Sequence, residues 1–240
     1  SLDLHVTSKP DLTPVSDADT AAEQAIRRTL GRARPRDAVH GEEMADTGWG
    51  PRRWVIDPID GTKNFVRGVP VWGTLIALMI YDEPAVGVVS APALGRRWWA
   101  SLGGGAYAGK SLMSATAIHV SNVARIEDAS LSYASISAWV ESHQGQQFVD
   151  LLRRCWRTRA YGDFWSYMLL AEGAVDVEAA RARRDERERL VDEHRDVSFP
   201  LAHSPMSPSF WRSAFSSSAL LPASSCSFHL CVAQISSVVP

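Results

Sequence analysis

Two aspartates three positions apart, Asp57 and Asp60, form the densest chemical signal in the chain. Pro58 stiffens the turn between them, and Gly61 permits a backbone conformation that other residues resist. Two carboxylates on a rigid turn suit a hard cation such as Mg²⁺, which needs fixed, charged oxygens and room for water and phosphate. Glu42 lies fifteen residues before Asp57 and offers a third carboxylate if the fold returns it there. The pattern predicts a cation site, although Asp-Pro-x-Asp-Gly alone is also typical of a surface turn.

The residues after this turn predict a place for a phosphate group. Gly61 and Thr62 precede a predicted helix through Asn64 and Phe65. Free N–H groups and the positive end of the helix dipole attract anions at a helix start. A phosphorylated ligand is therefore expected beside the two aspartates.

The surrounding elements have to position these groups. Trp54 to Ile56 is a short apolar run that predicts the strand leading to Asp57. Between Trp72 and Ser101, apolar runs separated by turn signals predict an antiparallel meander. Further strands are predicted at 2–6, 129–134, 157–160 and 174–177, helices at 18–30, 142–154 and 164–172, and irregular chain at 9–17 and 31–53. The order indicates an α/β fold, with a meander layer followed by a second α/β layer.

Composition excludes several classes of protein. A hydrophobic content of 45%, a charged content of 22% and a formal net charge of −2 describe an ordinary globular chain. No basic excess exists to bind nucleic acid or an anionic membrane surface. No apolar run approaches the roughly 20 residues that a bilayer requires, and no signal segment is recognisable. Because Cys155, Cys226 and Cys231 form no ligand-spaced array, we expect a reducing, cytoplasmic compartment.

A P-loop is an alternative that the sequence raises and disfavours. Gly104 to Ser111 matches the pattern of glycine, four residues and Gly-Lys-Ser. A true P-loop lies between a buried parallel strand and a helix. Here Arg96 to Trp99 reads as a hairpin strand, and Leu112 to Val120 is rich in β-branched residues and suits another strand. A glycine turn within the meander is the better interpretation.

Glu42, taken with the run Asp57 to Phe65 and the preceding Trp-Val-Ile, closely resembles the signature of the inositol-monophosphatase family. The resemblance runs from about Leu2 to Asp176. It implies a layered αβαβα sugar-phosphatase fold and hydrolysis of phosphomonoesters with two or three Mg²⁺ ions. The implied partner is a small phosphorylated metabolite, and a homodimer is a further expectation because relatives commonly dimerise.

The resemblance also assigns residues. Asp17 matches the family's upstream aspartate and, with the Thr62 hydroxyl and Glu42, would orient and deprotonate the attacking water. Taken alone, Asp17 is better explained as a helix cap than as a catalytic group, and Ser16 is an alternative cap. The implied metal ligands are Glu42, Asp57, the carbonyl of Ile59, and Asp60. The implied substrate contacts are Glu42, Ile59, Asp60, Gly61, Thr62, Arg159 and Asp163.

Within the family, the histidinol-phosphatase branch is the nearer resemblance. It rests on Lys63, Arg67 and the runs 68–72 and 159–164. Arg159 would lie at the substrate rim, and Asp163 would pair with the cationic amine or imidazole of histidinol phosphate. The implied role is a step of histidine biosynthesis. Inositol 1-phosphate or another sugar phosphate remains an alternative substrate, and a helix cap remains an alternative role for Asp163.

The C-terminal part departs from the family pattern. The family carries a further metal-binding aspartate in a Trp-Asp motif, and no Trp-Asp dipeptide occurs in this chain. We therefore expect a phosphatase domain over residues 1–178 that lacks its N-terminal helix and has an incomplete last layer. Residues 179–240 are expected to be an atypical tail, disordered or frame-altered near Glu178. A non-catalytic remnant that binds metal or phosphate is the alternative of another class.

Overall fold

The computed structural model describes residues 6–8, 14–81, 83–141 and 143–179. Their contacts divide them into two compact units. The first comprises the described residues up to Ile118 together with Asp163–Trp165, and the second comprises the others from His119 onward. The predicted tail lies outside the described residues, apart from Ala179.

A seven-stranded sheet forms the body of the first unit, in the order β3-β4-β5-β6-β7-β8-β9. Strand β3 pairs with β4 in parallel, and every later neighbour is antiparallel. The predicted meander is thus confirmed. The strands are β3 (Ala38–Gly41), β4 (Arg52–Asp60), β5 (Gly73–Ile80), β6 (Glu83–Ala91), β7 (Arg96–Ser101), β8 (Gly105–Gly109) and β9 (Thr116–Ala117).

Alternating side chains fix which face of this sheet is buried. Leu75 and Ala77 of β5 and Val89 of β6 have no exposed surface, and Trp98 of β7 packs edge-on against the ring of Phe164. Residues two apart along a strand share a face, so one face carries the core. This burial holds β4 in place, and β4 carries the two aspartates of the predicted site.

The first unit also contains a small hairpin and two helices. Strands β1 (Val6–Ser8) and β2 (Pro14–Ser16) pair antiparallel, and helix α1 (Asp17–Ala33) follows directly. Helix α2 (Thr62–Val66) is five residues long and begins after Gly61, whose φ of 82° is in the left-handed region that favours glycine.

In the second unit, a three-stranded parallel sheet has the order β11-β10-β12. Its elements are β10 (Ser130–Tyr133), α3 (Ile136–Glu141), α4 (Gly145–Arg154), β11 (Arg157–Arg159), α5 (Asp163–Ala171, whose first three residues group with the first unit) and β12 (Val177–Ala179). Its core includes Leu131 and the stacked rings of Trp139 and Phe148.

Several predicted elements need correction. Strand β3 lies in a stretch predicted to be irregular, and β2 lies in the predicted loop 9–17. The strand predicted at 174–177 is shifted to β12, because Asp176 is still anchored to β10 through hydrogen bonds with the backbone of Ser130. The helix predicted over 142–154 corresponds to α4, and α3 precedes it as a helix that the sequence did not predict. The strand predicted over 112–120 is reduced to β9, since residues 112–114 form a 3₁₀ turn.

The P-loop interpretation is excluded by the placement of Gly105–Gly109. These residues are strand β8, paired antiparallel with β7, and Lys110 follows a strand rather than opening a helix. Across the described ranges, none of the helices has both the length and the apolarity needed to cross a membrane.

Candidate active site

The end of β4 carries the predicted cation ligands. Asp57 has no exposed surface and Ile59 is 5% exposed, whereas Asp60 is partly exposed. The pairing of β4 with β5 shifts register between Asp57 and Asp60, and the Thr74 hydroxyl donates to the carbonyl of Pro58 at 2.8 Å. The irregular strand end is thus tied to the sheet. The proline-stiffened turn predicted from the sequence is therefore an irregular part of β4, between Asp57 and Asp60.

Glu42 reaches the same strand end by a different path. It directly follows β3, whose last residue, Gly41, is the register partner of Ile56. The Glu42 backbone N–H donates to the Ile56 carbonyl at 3.1 Å, so the parallel pairing continues to Glu42. Glu42 and the aspartates of β4 therefore lie toward the same end of two neighbouring strands.

Asp60 lies in an acidic environment. Its pKa is raised to about 7, first by burial, then by the neighbouring carboxylate of Asp163 and more weakly by Glu42. Hydrogen bonds from the backbone N–H groups of Phe164 and Gly61 act in the opposite direction. The hydrogen bond from the Phe164 N–H places the start of α5, which carries Asp163, beside the end of β4.

This group suits a hard cation in its donor chemistry. All of its donors are oxygens, and carboxylates buried near one another cost free energy that a bound divalent cation offsets. Within the described part of the chain, no three His, Cys, Asp or Glu side chains lie together closely enough to hold a metal ion. Mg²⁺ is commonly bound through one or two carboxylates with water and phosphate oxygens completing its shell, so an open site of this kind fits it.

The Thr62 hydroxyl contacts Asp19 rather than Asp17. Thr62 Oγ1 lies 3.4 Å from Asp19 Oδ1 and 3.0 Å from the carbonyl of Ile59. Asp19 is 1% exposed, and its Oδ2 accepts hydrogen bonds from the backbone and the hydroxyl of Ser16. Asp17 is exposed at the first position of α1. The pairing predicted for Asp17 is therefore corrected to Asp19.

Three predicted substrate contacts have other partners within the chain. Asp163 Oδ2 accepts a hydrogen bond from Asn64 Nδ2 at 2.9 Å, and its pKa is raised by burial, an effect that the Lys63 ammonium partly offsets. The Gly61 N–H donates to the Asp60 carboxylate and thereby lowers the Asp60 pKa. Arg159 is in the second unit, at the end of β11, where its exposed guanidinium donates to the Thr158 carbonyl.

The sequence analysis missed two residues of this site, Asp19 and Asn64. A signal for Asp19 was present, because an acidic residue three positions after Ser16 forms the capping-box pattern at a helix start. No local signal identified Asn64, whose side chain joins the carbonyl of Val71 to Asp163.

A meander whose first strand carries Asp57 and Asp60 at its end, together with a parallel α/β unit, defines the class of layered α/β sugar-phosphatase folds. The predicted fold class is confirmed by a solved structure, the extragenic suppressor protein suhB from Bartonella henselae. Its TM-score is 0.68 at 25% identity, over 75% of this chain and 70% of that one.

A sequence model of the inositol monophosphatase family matches residues 2–185. The histidinol-phosphatase of Streptomyces coelicolor is 64% identical over 181 residues, which cover 74% of this chain and 68% of that protein. The histidinol-phosphatase of Mycobacterium tuberculosis is 56% identical over 180 residues, 75% of this chain and 69% of that protein. The chain thus spans about two thirds of the length of these relatives. It belongs to the inositol monophosphatase family.

Proposed function

We propose that this chain is a Mg²⁺-dependent phosphomonoester hydrolase whose substrate is histidinol phosphate. The observation that carries the proposal is the position of Glu42, whose N–H donates to the Ile56 carbonyl and so places it beside the end of β4 that carries Asp57 and Asp60. Such a concentration of acidic oxygens is suited to a divalent cation and a phosphate. The similarity to two histidinol-phosphatases supports the choice of substrate.

The cation would be held by Glu42, Asp57, Asp60 and the carbonyl oxygen of Ile59. When bound, Mg²⁺ supplies neutralisation of the phosphate charge and a lower pKa for the attacking water. The protein residues contribute a fixed arrangement of oxygens. The buried position of Asp57 keeps its carboxylate in one place. Two or three ions are proposed by resemblance to the family.

Asp19 and Thr62 would orient the attacking water. The Thr62 hydroxyl has one proton and two neighbouring acceptors, Ile59 O and Asp19 Oδ1. Donation to Asp19 leaves the lone pairs of Thr62 Oγ1 available to accept a hydrogen bond from water. Because Ser16 fixes Asp19 Oδ2 by two hydrogen bonds, Oδ1 has a defined position. Such positioning supplies much of the rate in a displacement at phosphorus.

Asp163 would recognise the substrate's cationic amine or imidazole. Its side chain is partly exposed, and a bound cation would offset the burial that raises its pKa. The proposed phosphate contacts of Gly61 and Thr62, and that of Arg159 at the substrate rim, rest on the family resemblance. A homodimer and a cytoplasmic location likewise stay predictions.

A catalytically inactive remnant is the competing proposal, because no Trp-Asp dipeptide supplies the family's further carboxylate. The domain boundary proposed near residue 178 marks where the resemblance to an active phosphatase ends. Losing one carboxylate would weaken one cation position without removing the ligands on β4 and after β3.

The test is release of phosphate by the full chain from histidinol phosphate and from inositol 1-phosphate, each with Mg²⁺ and with EDTA. Mg²⁺-dependent release with a higher kcat/KM for histidinol phosphate is the expected result. A preference for inositol 1-phosphate would contradict the assignment of histidinol phosphate as the substrate. Mg²⁺ binding by calorimetry with no release from either compound would support the remnant.

A further inference from the structure

An ion pair on α1 lies against the loop that carries Glu42. Glu23 has no exposed surface, and its Oε1 accepts a hydrogen bond from Nε of Arg27, one helical turn later, at 2.7 Å. The Arg27 side chain is 11% exposed. Burying both charges costs desolvation free energy, which is repaid only when their remaining hydrogen-bonding atoms also find partners. Those partners all lie in the segment 43–47.

Both side chains bind this segment directly. Glu23 Oε2 accepts a hydrogen bond from the backbone N–H of Glu43 at 2.8 Å. Arg27 Nη2 donates to the Met44 carbonyl at 3.1 Å, and its Nη1 donates to the Thr47 hydroxyl at 3.2 Å. The segment is anchored at three points by one ion pair.

These contacts fix the backbone on both sides of Glu42. Its own N–H donates to the carbonyl of Ile56, and the next N–H, that of Glu43, donates to Glu23. With both flanking peptide groups engaged, the Cα–Cβ direction of Glu42 is set. The side chain therefore leaves the backbone toward a defined position.

Gly41 makes this arrangement sterically feasible. A Cβ at position 41 would lie 2.0 Å from Glu23 Oε1 and 2.8 Å from Arg27 Nη2. Its φ is not in the left-handed region, so backbone strain is not the reason for glycine here. The glycine is needed because the ion pair occupies the space that a side chain would fill.

We propose that Glu23 and Arg27 are positioning residues that set cation affinity by holding Glu42 at the cation site. The inference rests on the proposed function, because it takes Glu42 to be a cation ligand. Residues that orient metal ligands from outside the coordination shell change metal affinity or activity by roughly 10–100-fold when they are removed. Arginine is required because its planar fork donates in three directions at once, which an ammonium group does not reproduce.

The experiment measures Mg²⁺ binding to the full chain by calorimetry, with hydrogen exchange of residues 42–47 followed in parallel. Arg27→Met should weaken Mg²⁺ binding by roughly 10-fold or more and speed exchange of the Glu43 amide. Arg27→Lys should recover part of the affinity, because it restores the charge opposite Glu23. Arg28→Ala, an exposed arginine on the same helix, is the matched control and should behave as the wild type.

Gly41→Ala provides a second variant that leaves both charged residues in place. It should displace the ion pair and weaken Mg²⁺ binding to a similar degree, with little further loss in the double variant with Arg27→Met. Unchanged Mg²⁺ affinity in folded Arg27→Met and Gly41→Ala would overturn the proposal. A wild-type chain that itself binds no Mg²⁺ would instead refute the proposed function, and this inference with it.

Discussion

The Asp163 carboxylate accepts a hydrogen bond from the side-chain amide of Asn64 across 99 residues of sequence. Asn64 Nδ2 also donates to the carbonyl of Val71, and the Phe164 N–H, one residue after Asp163, donates to Asp60. The start of α5 is thereby joined to the strand end that carries the proposed cation ligands. The residue proposed to recognise the substrate is thus held at a fixed place beside the residues proposed to act on phosphate.

Replacing Asp163 by asparagine tests this recognition. Asparagine keeps the size and tolerates the positive φ of 48° at this position, but it removes the charge. A hydrogen bond to a charged group contributes about 1.5–3 kcal/mol, so KM for histidinol phosphate should rise roughly 10-fold or more. The KM for an aryl phosphate that carries no cationic group should not rise. An equal rise for both substrates would contradict recognition of the cation.

A second prediction separates the two aspartates at the start of α1. Asp19→Asn should lower kcat for phosphate release by roughly 100-fold, because the amide is a poorer acceptor for the Thr62 hydroxyl. Asp17→Asn is the matched control and should leave kcat within about 2-fold, since Asp17 is exposed. Steady-state kinetics and thermal unfolding of both variants check this. A larger loss in Asp17→Asn would restore the assignment made from the sequence.

The cation site itself is tested by Asp57→Asn. Mg²⁺ should raise the Tm of the wild-type protein, because a ligand that binds the folded state stabilises it. In Asp57→Asn this rise should disappear, and phosphate release should fall by roughly 100-fold or more. Asp128→Asn, at an exposed position of the second unit, is the control. A full Mg²⁺-induced rise in Tm for Asp57→Asn would reject Asp57 as a ligand.

The elements that the sequence predicted are those with strong local patterns. Apolar runs broken by turn residues identified the meander, and a capped 3.6-residue period identified α1. Strand β3 was not predicted, because its four residues lie in a polar stretch and become a strand only by pairing with β4. Pairing between distant segments leaves no periodic signal within so short a run.

The sequence predicted the acidic turn from Asp57 to Gly61, but it did not predict which side of helix α1 faces that turn. Asp17 and Asp19 are both acidic and both near the helix cap, yet residues two apart on a helix point about 200° apart. Only one of them can face Thr62, and the choice depends on how α1 is rotated against β4. Burial of Glu23 on the face of Asp19 fixes that rotation.

The last prediction concerns Glu178, which lies in the second unit and is 1% exposed. Its carboxylate accepts hydrogen bonds from the hydroxyls of Ser132 and Ser166. Burial raises its pKa from 4.5 to about 7. Between these values the folded state binds a proton that the unfolded state has lost, so the free energy of unfolding should fall as pH rises. The expected loss is about 3 kcal/mol by pH 7, with little further change above it.

Glu178→Gln keeps the side-chain shape and cannot ionise, so urea unfolding should show it to be more stable than the wild type at pH 8 and equal to it near pH 4.5. Glu127→Gln, which changes a half-exposed carboxylate on the surface, should keep the wild-type dependence on pH. Parallel pH profiles for Glu178→Gln and the wild type would show that Glu178 ionises in the folded protein as it does in the unfolded chain.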